Sequence, residues 1–452
     1  MTAWSNVQLS ELGHALRIEA DYYRPEYLAL AKRLEAVNAV PLTRFLQYLT
    51  DGTHVTPKYV SEGIPFMSSS DIDQFTLPHK VERFISEEEH ERLRHCQPDT
   101  NDVLMAKSGR IGSCAVVPPS IQKGDCNIYE GVALLRLREI CPHYTAAFLN
   151  SKYGSVQIRR ELKGVAQPHL HLEDIRRLKI FVPVKSAEAE IRTLVLSGVE
   201  LLNKSHDLYA RSQQLLESTL LLDAVSFERP VGYTANFSEL ELSLRSDAQH
   251  FQPQFTQLIS HLLKFPTRRV REIRRVNRRG IQPVYVKDGT HAVVNSQHLG
   301  PKHINYNSLQ QTTEKLFNAA PEAHIQKDDL LIYTTGAYIG RTNVYLDDTP
   351  AFASNHVNIL RLSPDIDHAY MAMVFQSVIG QFQTQKHARG SAQAELYPAD
   401  IDKFVVPLLP REKQQEIGDL VRESLAQQRE SARLLEQAKA RVEQLIEEAV
   451  AA

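Results

Sequence analysis

Cysteine is scarce in this 452-residue chain: Cys96, Cys114, Cys126 and Cys141 are the only four, all in the first half and none in a C-x-x-C pair. That scarcity excludes a disulfide-stapled scaffold or a zinc ribbon and fits a reducing cytoplasm. His169 and His171 have no third and fourth ligand at suitable spacing, so no metal site is expected. Long apolar runs are missing as well. None approaches the roughly 18 residues of a membrane span, and the opening MTAWSNVQLS lacks the basic-then-apolar order of a secretory signal. The expectation is a cytoplasmic protein with no membrane partner. Catalytic signatures are absent too: there is no G-x-S-x-G, no G-x-x-x-x-G-K-[ST], no G-x-G-x-x-G after a strand and no H-E-x-x-H. Glu161-Leu-Lys163 lies on a helix-like stretch, a poor place for a nuclease centre.

Neither sign of charge dominates. Lys and Arg total 52 against 54 Asp and Glu, a net −2, which argues against a protein that coats nucleic acid indiscriminately. The balance is uneven along the chain, however. Leu262 to Gly300 carries nine basic residues against two acids, whereas Val40 to Arg110 carries eight against eleven.

What is present is a repeat. LRIEADYYRPEY (Leu16 to Tyr27) returns as LRSDAQHFQPQF (Leu244 to Phe255), and TPKYVSEG (Thr56 to Gly63) as QPVYVKDG (Gln282 to Gly289). DVLMAKSGRIG (Asp102 to Gly112) returns as DLLIYTTGAYIG (Asp329 to Gly340) with one residue inserted. Arg136 meets Arg361, G-x-A-Q at Gly164 meets G-x-A-Q at Gly390, Asp174-Ile175 meets Asp400-Ile401, and Ile191 meets Ile417. Such a period is too long for a solenoid, so each unit is a whole domain with an appendage.

Within a unit, DVLMAKS and SCAVVPPS read as strands around a glycine turn, as do DLLIYTT and TNVYLDD, while HYTAAFLNSKYGSVQIRREL and HAYMAMVFQSVIGQFQTQKH have helical spacing. An α+β domain follows. After KIFVPV and KFVVPLLP come long helices. Ile417, Val421, Ser424, Gln428, Ser431, Leu435, Ala438, Val442, Leu445 and Ala449 keep an alternating 4-3 spacing, matched by Ile191, Val195, Gly198, Leu202, Ser205, Tyr209, Ser212 and Leu216. A helix over 411–450 would be ~60 Å long, too long to sit inside a compact domain. The expected architecture is two similar domains, 1–184 and 225–409, and two long helices, 185–224 and 410–452. The helices pair antiparallel as a coiled coil with a pseudo-twofold internal repeat and hold the domains apart.

The chain resembles the specificity subunit of type I restriction–modification systems. The stretches that carry this are Asp51 to Phe66 (DGTHVTPKY…EGIPF), Lys107 to Gly112 (KSGRIG), and DIRRLKIFVPV before a long helix; the resemblance covers nearly the whole chain, repeat included. It implies two target-recognition domains, each reading one half of a split sequence in double-stranded DNA. The paired helices would fix the spacer and dock two DNA adenine methyltransferase subunits. S-adenosylmethionine would bind to those partners, with ATP and Mg2+ on restriction or translocase subunits where these join. No cofactor and no catalytic role would fall to this chain, which also lacks the Asn/Asp-Pro-Pro-Tyr motif of adenine methyltransferases. A partner that fuses nuclease and methyltransferase is an alternative, and so is a coiled-coil scaffold that binds no DNA.

DNA readers use Arg and Lys for phosphates and Arg, Asn, Gln, Ser and Thr for base edges. Three loops per unit suit that role. The first carries Thr53, His54, Thr56, Lys58 and Tyr59, with Gln282, Tyr285 and Lys287 opposite. The second carries Lys107, Ser108 and Arg110, with Thr334, Thr335, Tyr338 and Arg341 opposite. The third carries Gln167 and His169, with Arg389 and Gln393 opposite. Seven arginines in RRVREIRRVNRR, among them Arg274, Arg275, Arg278 and Arg279, form a phosphate-binding patch or else a solvated helix face or a partner contact. Gly109 to Gly112 also fits the G-x-x-G of a KH module, but that loop joins helices and these flanks are strand-like.

Overall fold

Apolar, partly β-branched runs on either side of a turn can bury both faces only by pairing, and Val103–Ala106 does pair antiparallel with Cys114–Val116. Gly109 and Gly112 supply the reversal at φ of +64° and +88°, where a Cβ is disfavoured. The computed structural model describes residues 5–7, 17–164, 168–390 and 393–452. They form two compact units, 1–203 with 428–452, and 204–427.

In the first unit the hairpin belongs to an antiparallel sheet ordered Leu46–Asp51, Val132–Leu137, Val103–Ala106, Cys114–Val116. One face (Val103, Met105, Cys114, Ala133, Leu135) packs on Tyr144, Phe148, Tyr153 and Leu30 from helices Pro142–Asn150, Lys152–Glu161 and Pro25–Ala36. The opposite face (Leu104, Ala106, Ala115, Leu134) meets Phe66, Met67, Ile85 and Ile128 of a smaller sheet. That sheet is built from Tyr59–Val60, Phe84–Ile85, Ile64–Met67 and Asn127–Ile128, the last two being parallel.

The second unit has the larger sheet in the order Arg274–Arg279, Val357–Leu362, Leu330–Tyr333, Thr342–Val344. Its smaller sheet runs Gln310–Thr312, His291–Val294, Ala351–Ala353, His324–Ile325, again with one parallel pair. The edge strand carries a bulge in each unit, at Leu46/Tyr48 and at Arg274/Val276.

Supporting contacts recur at the spacing of the repeat. Arg136 grips the buried Asp102 through two bonds of 2.8 and 2.7 Å, and Arg361 grips the buried Asp329 through two of 2.7 Å. Buried Asp174 takes Lys163 and Arg177; buried Asp400 takes Arg389 and Lys403, with the two cation types exchanged. The Tyr144 hydroxyl donates to the Phe181 carbonyl at 2.6 Å and that of Tyr370 to the Pro407 carbonyl at 2.9 Å.

The helical runs of each unit are two helices rather than one, Pro142–Asn150 then Lys152–Glu161, and His368–Gln376 then Val378–His387. Ser151 and Ser377 are extended, with ψ of 172° and 177°, and their hydroxyls donate to Phe148 and Val374 carbonyls. The second helix folds so tightly onto the first that a Cβ on Gly154 would meet the Leu149 Cα and carbonyl at 2.4 Å. Gly380 would meet the Phe375 carbonyl at 2.1 Å. Hence the glycine in each run. RRVREIRRVNRR is no single helix face either: Val270–Ile273 is one short turn and Arg274–Arg279 an edge strand.

The long helices span Lys185–Thr219 and Arg411–Ala451, and the division into compact units passes through both. The physical reason is shared cores. Ile191 and Val195 are buried with Ala438, Val442 and Ile446 in the first unit's cluster, Tyr209 and Leu216 with Ile417 and Val421 in the second's. In the first unit the stretches are antiparallel, Glu190 facing Arg441 while Gly198 faces Ser431 and Leu435. The Ser431 hydroxyl donates to the Gly198 carbonyl at 2.6 Å; in the second unit the Ser424 hydroxyl donates to the Ser205 carbonyl at 2.8 Å. Small residues on the seam thus let backbones approach. Among the described residues no helix is long and apolar enough to cross a membrane.

Candidate nucleic-acid interface

In the first unit all three candidate loops meet at the end of the larger sheet, where Leu46–Asp51 stops and Val132–Leu137 begins. Gly52 presses on the backbone of Ile128 and Tyr129, leaving no room for a Cβ, and Thr53 bridges to Tyr129. His54 Nδ1 lies 3.0 Å from Glu130, and the Thr56 and Tyr129 hydroxyls are 3.3 Å apart. The Lys107 ammonium reaches back to Asp51, and the Lys107 carbonyl accepts from the Leu170 amide at 3.2 Å, tying in the loop that bears His169. Ser108 donates to Ser69 at 3.0 Å and Arg110 pairs with Asp73. Lys58, Tyr59 and His169 are exposed; Gln167 lies outside the described residues.

The second unit gathers its loops in the same way. The Gly280 amide donates to Val357, that of Thr334 to His356, that of Leu396 to Thr334, and that of Gly336 to Ala394, at 2.9 to 3.1 Å. Arg279 donates to the Leu396 carbonyl at 3.0 Å and sits over the Tyr397 ring at 4.8 Å. Arg341 lies over Tyr338 at 3.7 Å. The Tyr285 hydroxyl accepts from Asn295 at 3.1 Å, and Gln282, Lys287 and Gln393 are exposed.

Several candidates are engaged inside the fold instead of being offered to solvent. Thr334 is wholly buried and its hydroxyl donates to His356 at 2.9 Å. Thr335 and Thr53 are buried too, and Lys107 is 9% exposed on Asp51. Arg274 forks onto Asp402 at 2.5 and 2.9 Å. Burial pushes the Asp402 carboxyl up, but the bonds from Arg274 and Asn277 outweigh it and hold it below the usual range. Arg389 is half exposed but donates to Asp400. Among the second unit's candidate cations, Arg275, Arg278 and Lys287 are exposed and Arg341 is half-buried, and none of the four has an ion-pair partner among the described residues. Partners such as Tyr129, Glu130 and Tyr397 escaped sequence reasoning because each is brought in from a distant strand or loop.

Burial pushes the Cys96 thiol up to about 11 and Cys126 to about 12, and Cys114 higher still, so none of these thiols is a ready nucleophile. Among the described residues no group of three or more His, Cys, Asp or Glu gathers as a metal site. The exposed groups are hydrogen-bonding and cationic side chains on loops held by a rigid sheet, which suits recognition of a polyanion with readable edges.

Residues 288–437 match the family described as the type I restriction modification DNA specificity domain. Over this stretch the chain is similar to such a domain, in agreement with the resemblance read from the sequence. The matched stretch includes the second unit's glycine turn, its third loop and the first part of the second long helix. Among solved structures, the type I restriction–modification S subunit from M. genitalium is 13% identical over 91% of this chain and 95% of its own, with a TM-score of 0.45. The HsdS subunit from Thermoanaerobacter tengcongensis is 17% identical over 90% and 95%, with a TM-score of 0.29. No curated protein matches the chain.

Proposed function

We propose that this chain is the DNA-sequence-recognition subunit of a restriction–modification system and that it binds a bipartite target. Each unit reads one half through its three loops, and residues 185–224 and 410–452 set the spacer between the halves. Two DNA adenine methyltransferase subunits, holding S-adenosylmethionine, are the partners directed to the target; restriction or translocase subunits with ATP and Mg2+ are further ones. The chain itself supplies no catalysis, and its place of work is the cytoplasm.

The observation that carries this reading is the convergence, in each unit, of three polar loops at one end of an antiparallel sheet whose supporting ion pairs recur at the repeat spacing. Sequence readers need such division of labour: rigid support for positioning, variable loop ends for base edges. The specificity-domain match over 288–437 supports it.

The test is methylation-sensitive long-read sequencing of a host expressing the chain with its neighbouring genes. The expected result is a split motif with adenine methylated in both halves. Cleavage on both sides of such a motif would point to a fused nuclease–methyltransferase partner. A host without any new methylated motif, combined with no DNA preference of the purified chain, would sink the proposal in favour of a protein-binding scaffold.

A further inference from the structure

The glycine turns of the two units differ in one respect that bears on what they read. In the first, Arg110 occupies the tip and is paired with Asp73, while Ser113 follows Gly112. In the second, the turn is one residue longer, Tyr338 occupies the tip, and Arg341 follows Gly340. Tyr338 is 55% exposed, and its ring stands edge-on to Tyr333 at 6.4 Å, itself packed against the second unit's core. The Arg341 guanidinium lies on that ring, 3.7 Å from its centre. The backbone beneath is pinned by bonds from the Gly340 amide to Tyr333 and from the Tyr333 amide to Arg341, both 2.8 Å. A Cβ on Gly340 would meet Thr384 at 2.7 Å, so the turn is seated against the helix below.

A guanidinium braced on one flat face keeps its edge of N–H donors available and its plane fixed. No carboxylate lies within ion-pair distance of Arg341 among the described residues. A fixed planar fork matches two coplanar acceptors, and guanine presents such a pair, O6 and N7, in the major groove. A phosphate would accept from a mobile arginine equally well and gives no reason for the brace. We infer that Arg341, held by Tyr338, reads a guanine in the half-target bound by the second unit, and that the first unit has no equivalent reader at its turn. The inference rests on the DNA-recognition reading above.

Selection of bound duplexes from a random library by the full chain tests it, with R341A, R341K, Y338A and R110A beside the unchanged protein. R341A should lower preference for guanine at one position of one half by about tenfold or more, the range of a bidentate contact, leaving the other half intact. R341K should not restore it, because an ammonium cannot fork. Y338A should weaken the same position without altering the salt dependence, and R110A should leave that position untouched. If R341A keeps the motif and only flattens the salt dependence by about one unit, Arg341 is a phosphate contact and the inference fails. An unchanged motif with unchanged salt dependence overturns it as well. If the unchanged protein enriches no motif, the recognition reading itself falls.

Discussion

The two units share a frame and differ at its rim. The Asp102–Arg136 and Asp329–Arg361 forks are nearly superimposable in bond length, and the Asp174 and Asp400 sites keep three charges while exchanging which cation is Arg and which is Lys. At the rim the chemistry is inverted. Asp51 of the first unit, bound to Lys107, corresponds in the repeat to Arg279, which donates to the Leu396 carbonyl and lies 3.8 Å from Glu395, while Lys107 corresponds to the neutral Thr334. The first unit pairs Lys107 and Arg110 with its own carboxylates, whereas the second leaves Arg275, Arg278 and Arg341 without one among the described residues. The comparison teaches that buried pairs hold the loops in register and the exposed ends are free to diverge. The proposed function calls for that pattern.

The largest effect should come from breaking the frame. Removing one partner of a buried pair leaves an unpaired charge, at a cost of about 3 kcal/mol or more. D329A and D102A should therefore destabilise their own units by similar amounts in denaturant unfolding; a clear inequality would mean the two frames are not equivalent. The seam comes next. A Cβ on Gly198 would sit 2.8 Å from Leu435, so G198V should cost about 1–3 kcal/mol by overpacking. Valine at Ser424, whose place in the repeat corresponds to Gly198, should cost less in strain because a side chain already fits there.

Third is the rim. R275A/R278A should reduce the slope of log affinity against log salt by about 1.8, or roughly tenfold less loss of binding between 50 and 200 mM. R110A in the first unit should change that slope little, since Asp73 already neutralises it. Equal changes would erase the contrast between units.

The last contrast concerns pH and is felt only in acid. Burial, then the neighbouring His250, pushes the His387 imidazole down to about 3. The unfolded chain, with a histidine pKa of about 6.5, binds a proton there that the folded chain does not. Stability is thus complete above pH 6.5 and falls as pH drops toward 3, by up to about 1.4 kcal/mol per unit. H387F, which keeps a ring against Phe404, should flatten this acid limb in thermal unfolding of the second unit. The first unit, where Glu161 stands at the corresponding position and His143 is pushed down to about 4 by burial and Arg192, should keep its own limb.

Much of the frame was legible in the chain. Glycine turns with apolar flanks announced the hairpins, and 4-3 spacing announced the long helices, because these signals depend on residues a few positions apart. The break at Ser151 was not legible, since a serine inside a helical run stops it only when its hydroxyl and a following glycine close onto the previous turn. Nor was the allocation of cations. Arg274 and Arg275 are adjacent and identical in type, yet one is clamped by Asp402, 128 residues away, and the other faces solvent.

By itself the sequence determined the repeat, the α+β class and the kinds of side chain at each loop, since order and composition are properties of the chain. Only the tertiary structure decided which of those side chains remain available. A charge is open or silenced according to whether folding brings a counter-charge within a few ångströms, and that distance is set by packing, not by spacing along the chain.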